Sequence, residues 1–209
     1  LNNQRIVGQT LHLMSEEFDR GRVIATRSFV LRGDEYQDEV NALFQEGALE
    51  FFLSGIELVK NGDVGEEVQG FGRYFPRLGA GGDIIDWSMR SEFIIAQVRA
   101  RSPVILSRTF LAGGHREVFV HRAAASSVDP YFSPPGQVLN RDPTQGILVK
   151  TGDSAIWIEQ VSDHVNSDPY VPHLPIGTSF VANWQHEIET LHRSLSSFQE
   201  KLEQLEMRL

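Results

Sequence analysis

From Val104 onward the chain is written in short apolar runs punctuated by glycine: Val104–Leu111, Glu117–Ala123, Gln137–Asn140, Ile147–Thr151 and Ala155–Val161, with turns at Gly113-Gly114 and Gly152-Asp153. Runs this short are strands, because a helix needs more residues to bury a face, and glycine supplies the tight reversals between them. Five such strands so close together predict a small closed barrel of the oligonucleotide/oligosaccharide-binding kind over residues 101–180.

The first third follows different periods. Thr10-Leu11-His12-Leu13-Met14 reads as a strand feeding a polar loop, Asp19-Arg20-Gly21 as a turn, and Val23 to Leu31 as the returning strand. Tyr36, Val40, Leu43, Phe44, Ala48, Phe51 and Phe52 then recur at helical spacing, predicting one long amphipathic helix to Lys60 that stops at Asn61-Gly62. Residues 63–100 read as a linker, glycine-rich to Gly82, then a helix carrying Phe93, Ile94 and Val98, with Ser88 as its N-cap and Pro103 ending it.

The tail changes again. Trp184, Ile188, Leu191, Leu195, Phe198, Leu202, Leu205 and Leu209 alternate by fours and threes, the a/d stripe of a coiled coil. Residues 184–209 are therefore expected to form a heptad helix that brings two copies together as a homodimer or leads to a further domain.

Charge and composition narrow the function. The formal net charge is −9, which disfavours unspecific binding to nucleic acid. No apolar run has the length of a membrane span and no leader opens the chain, so a cytoplasmic protein is expected. Cysteine is absent, which removes disulfides and thiolate metal sites. Asp163, His164, Asp168 and His173 share a loop, but loops of this composition are usually solvated, and no metal is expected. The Gly79-Ala80-Gly81-Gly82 cluster lacks the strand and helix that a phosphate loop needs. No serine sits in a nucleophile elbow. His12, in an apolar strand, reads as a hydrogen-bonded structural histidine, and Asp19, in an exposed turn, is the acid/base candidate that the residues themselves offer.

A resemblance gives that aspartate a context. Gly8-Gln9-Thr10-Leu11-His12-Leu13-Met14 followed by Phe18-Asp19-Arg20-Gly21-Arg22-Val23-Ile24 is similar to the segment of 10-formyltetrahydrofolate-dependent formyltransferases in which a G-x-T-x-H strand leads to D-x-G-x-I. Tyr74-Phe75-Pro76-Arg77-Leu78, then Asp83-Ile84-Ile85-Asp86-Trp87-Ser88 and Val98-Arg99-Ala100, resemble the linker of methionyl-tRNA formyltransferase-like proteins. Pro134-Pro135-Gly136-Gln137-Val138 and Gly146-Ile147-Leu148-Val149-Lys150-Thr151 resemble strands of that family's C-terminal barrel. The fold class so implied is an α/β remnant of a formyltransferase domain (residues 1–62), a linker with a helix (63–100), an OB-like β-barrel (101–180) and the coiled-coil-type helix (184–209).

The resemblance implies formyl transfer from 10-formyltetrahydrofolate to a primary amine, with Asp19 catalytic and Glu17, Phe18 and His12 against the cofactor. An Asn and a His-x-S/G-L-L-P stretch that complete such a site should precede Leu1, so the chain is expected to be part of something longer and inactive alone. Ser102-Pro103-Val104-Ile105 replaces the family's Pro-Trp-Pro-Gly. The barrel region carries six basic against seven acidic residues, a poor footing for tRNA; an amino sugar nucleotide or an amino acid competes as the acceptor. The alternative is a non-catalytic binding or assembly module held together by the tail.

Overall fold

The computed structural model describes residues 4–17, 19–67, 82–112, 116–128, 132–181 and, in the tail, 192, 195 and 196. Phe18, Tyr74-Phe75-Pro76-Arg77-Leu78, Gly79–Gly81, the Gly113-Gly114 turn and most of the heptad stripe lie outside the described residues. The chain divides into two compact units, Leu1–Arg77 with Arg99–Val104, and Leu78–Val98 with Ile105–Leu209.

In the first unit, β1 (Ile6–His12) and β2 (Val23–Val30) form an antiparallel hairpin. The strand begins earlier than its apolar run, because Gly8 and Gln9 interrupt the pattern for reasons of contact. A Cβ on Gly8 would lie 2.8 Å from the Arg27 carbonyl oxygen, and the Gln9 side chain accepts a hydrogen bond of 2.7 Å from Arg27. The expected single helix is two, α1 (Gln37–Gln45) and α2 (Ala48–Lys60). Gly47, at φ 62°, breaks it, and the Arg27 guanidinium caps the broken end by donating to the carbonyls of Phe44 (2.7 Å) and Glu46 (2.8 Å). The apolar spacing runs straight through this break, which is why periodicity missed it. The Asn61-Gly62 stop is as expected, with Gly62 at φ 91°.

In the second unit, α3 (Ser91–Arg101, its last turn counted with the first unit) starts three residues beyond the expected cap. Ser88 instead turns back on Asp86, to which both its N–H and its hydroxyl donate. The cap comes from far along the chain: Asp153 accepts the Ser91 N–H at 2.7 Å. The sheet runs β5-β6-β7-β4-β3-β8, antiparallel throughout: β3 (Ser107–Leu111), β4 (Glu117–Ala125), β5 (Val138–Asp142), β6 (Gly146–Lys150), β7 (Ala155–Ser162) and β8 (Phe180–Val181). The run from Val104 forms a strand only from Ser107, since Val104 and Ile105 face solvent.

The sheet curls until its two ends meet. Gln137 bridges Ser179, Val138 donates to the Thr178 carbonyl, and Phe180 donates to that of Gly136. Phe110, Val120, Ile147, Val149, Ile156 and Ile158 are buried along its strands. Trp87 stacks on Phe180 with ring centroids 5.6 Å apart and donates its indole N–H to Thr109. Among the described residues, every buried apolar side chain but that of Tyr36 belongs to this second unit. No helix among them is long and apolar enough to cross a membrane.

Candidate functional site

The loop between β1 and β2 is held at its neck by backbone. The register slips between Leu11 and His12, where Leu11 faces Ala25 but His12 faces Val23. The extra residue is Ile24 on β2, and such a bulge increases the local twist of the hairpin. Leu13 then donates its N–H to the Arg22 carbonyl at 2.9 Å, closing the loop. The closure needs Gly21: a Cβ there would lie 1.5 Å from the Leu13 carbonyl oxygen, so no larger residue fits the crossing.

This neck brings His12 and Asp19 to face each other. His12 Nε2 lies 3.8 Å from Asp19 Oδ1, with the imidazole 32% exposed and the carboxylate 96% exposed. Asp19 occupies the left-handed region at φ 54°, a conformation that Asp and Asn tolerate better than most residues. The two line a hollow of about 400 Å³ with Met14, Ser15, Glu16 and Glu17. Ser15 Oγ donates to the Glu17 carbonyl at 2.8 Å, shaping the rim. Of the residues proposed from sequence, His12, Glu17 and Asp19 therefore come together, and Phe18 lies outside the described residues. Met14, Ser15 and Glu16 were not singled out in the sequence; their position inside the strand-to-turn segment was the available signal.

His121, His173 and the acidic loop are tied into the second unit by hydrogen bonds. Ser162 gives its hydroxyl hydrogen to the His164 carbonyl and so accepts from His121 Nε2 at 2.9 Å, while burial pushes the His121 imidazole down. Asp163 binds Arg116 at 2.6 Å and the Tyr170 hydroxyl at 3.0 Å, and these donors hold its carboxyl below the usual range. His173 lies 3.3 Å from Arg141.

Residues 80–166 match the family described as the formyl transferase C-terminal domain. The chain is 26% identical over 163 residues to a methionyl-tRNA formyltransferase of Dictyoglomus turgidum, covering 76% of this chain and 51% of that protein. It is also 26% identical over 160 residues to that of Borrelia duttonii, with the same coverage. Among solved structures it is similar to a variant of HypX from Aquifex aeolicus at a TM-score of 0.58 and 27% identity, covering 76% of this chain and 28% of that one. HypX in complex with tetrahydrofolic acid matches at 0.56 and 26%, with the same coverage. The chain spans about half the length of the curated relatives it matches. Residues 80–166 thus match the formyl transferase C-terminal domain, and the chain is similar to part of formyltransferase-family proteins.

Proposed function

We propose that the chain contributes one side of a formyl-transfer site in a longer protein, using 10-formyltetrahydrofolate and a primary amine in the cytoplasm. The observation that carries this is the His12–Asp19 pair across the hollow, held by a neck that admits only glycine at position 21. Relatives that are formyltransferases, and one structure with tetrahydrofolic acid, support the cofactor. The hollow suits a pterin: its rim offers the carboxylates of Glu16, Glu17 and Asp19 as acceptors for the ring's amino and ring N–H donors.

When bound, the cofactor supplies the formyl carbon. In this reading the Asp19 carboxylate takes the proton that an attacking amine loses, and its 96% exposure leaves it accessible to that nitrogen. The division into a catalytic-domain part (residues 1–62), linker (63–100), OB-like barrel (101–180) and heptad helix (184–209) belongs to the same reading. So does dimerisation through the tail, which sedimentation with and without residues 184–209 tests; an unchanged mass removes it. The exposed apolar side of α2, with Leu49, Phe52 and Leu53, is a surface that a further part of the same site would cover.

The amine is a small or carrier-bound one, an amino sugar nucleotide, an amino acid or methionyl-tRNA, and the balance of charge over residues 101–180 disfavours tRNA. The test is the rate of formyl transfer by the longer protein carrying Asp19→Asn, which keeps the left-handed turn and removes the charge. A loss of at least about 100-fold is expected; a near-normal rate removes Asp19 from the mechanism. The 209-residue chain alone is expected to transfer nothing.

A further inference from the structure

We propose that His12 is the proton partner of Asp19: its ring is held with the hydrogen on Nδ1, and Nε2 takes the proton that the acceptor amine sheds. This rests on the formyl-transfer reading above and gives His12 chemistry in place of contact with the cofactor.

The hydrogen's position follows from the partner. His12 Nδ1 lies 3.0 Å from the Leu13 carbonyl oxygen, which has no hydrogen to give, so Nδ1 must donate. In the neutral ring the lone pair is then on Nε2, the atom facing Asp19 at 3.8 Å. That separation is too long for a direct hydrogen bond and short enough for one rotation of the exposed carboxylate, or one water, to connect the two. The same Leu13 residue closes the loop neck through its N–H, and its carbonyl occupies the space that a Cβ on Gly21 would need; that Cβ would also lie 3.1 Å from His12 Nδ1. Neck, carbonyl and ring are one clamp.

The proton count closes. With the folate donor bound, one proton would leave the acceptor nitrogen as it bonds to the formyl carbon, and one would go to the folate nitrogen that releases that carbon. Between those events Asp19 passes the proton to Nε2 and takes it back. With Nδ1 already donating, the doubly protonated ring has a partner for each hydrogen, the carbonyl on one side and the carboxylate on the other. Among the described residues, the charged groups that share a hollow with His12 are Asp19, Glu16 and Glu17 in one and Lys60 of α2 in the apolar groove that His12 also lines.

Nitrogen NMR of the His12 ring in the 209-residue chain tests the clamp without any turnover. The neutral ring should carry its hydrogen on Nδ1, with the lone-pair signal on Nε2, and Asp19→Asn should leave this unchanged. A ring protonated mainly on Nε2 would overturn the proposal. Gly21→Ala should release the ring toward the Nε2–H form, and retention of Nδ1–H in that variant would sink the clamp. In the longer protein, His12→Gln should lower kcat about 100-fold with KM little changed, and flatten the acid side of the pH profile. If transfer is robust but His12→Gln alters neither kcat nor profile, the proton role fails and the formyl-transfer reading stands. If no transfer occurs at all while Nδ1–H is observed, it is the formyl-transfer reading that fails.

Discussion

Glu35 shows how a single carboxylate organises the first unit. Its side chain is only 6% exposed. Burial by itself would raise its pKa, but the N–H groups of Gly33, Arg32 and its own residue, with the Arg32 charge, bring it down to about 2 from 4.5. A carboxyl depressed in the folded state stabilises at pH above its unfolded value and loses that contribution as the pH falls through its folded value. The window is therefore about 4.5 down to about 2, and the contribution above it is on the order of 3 kcal/mol. Glu35→Gln should lower the urea midpoint of the first unit at pH 7 and leave little difference from the parent near pH 2; an equal gap at both would refute the assignment. The candidate site was legible at this scale only in part. His12 and Asp19 announced themselves by type and spacing, but nothing in the letter G at position 21 says whether it serves φ or room. Here it serves room, against the Leu13 carbonyl across the loop neck.

Elements in this chain are joined by side chains that arrive from elsewhere, and those junctions were the least legible. Periodicity put Val40, Leu43, Phe44, Ala48 and Phe51 on the half-covered side of α1 and α2, misplaced the exposed Phe52, and merged the two helices, since the break depends on Gly47 and on Arg27 reaching from β2. Arg27 also lies over the rings of Phe29 and Phe51, at 5.1 and 5.0 Å. Arg27→Ala should cost about 2 kcal/mol, leaving carbonyls without their charged donor. Faster amide exchange confined to α1 and the first turn of α2 would register it, and a uniform change would count against the cap. The start of α3 tells the same story. Its cap, Asp153, is distant in sequence and lies in a turn between strands, whereas Ser88 looked right locally. Asp153→Ala should lower stability by about 1 kcal/mol, and Ser88→Ala by much less; chemical denaturation of both decides which residue is the cap.

The whole molecule is unevenly packed. The second unit, its sheet together with α3 and the segment before it, holds nearly all of the buried apolar side chains among the described residues, while α2 in the first unit buries only Gly55 and exposes Leu49 at 65% and Phe52 at 53%. Burial of apolar area is the main stabilising term in folding, so the two units should differ in stability. Amide exchange is expected to show β1, β2, α1 and α2 opening at lower free energy than β4, β6 and β7; equal protection throughout would contradict it. The strands of the sheet were readable because short apolar runs between glycines have few other uses. The two-residue β8 was not, since its pairing with β3 and the approach of Ser179 to Gln137 are set by closure of the sheet.

The start of α3 and the clamp both depend on absent methyl groups, and this bears on how a mutational scan of the protein would look. A Cβ on Gly152 would fall 2.0 Å from the Ser88 carbonyl oxygen, and one on Gly21 1.5 Å from that of Leu13. Positions 21 and 152 should score as intolerant as any reacting residue, yet through overlap of atoms. A map of intolerance ranked by severity would therefore set a turn beneath a helix beside the candidate site as equals. The two would separate only when the scan reads abundance and turnover independently: Gly152 variants should lose both together, while Asp19→Asn should lose turnover at full abundance.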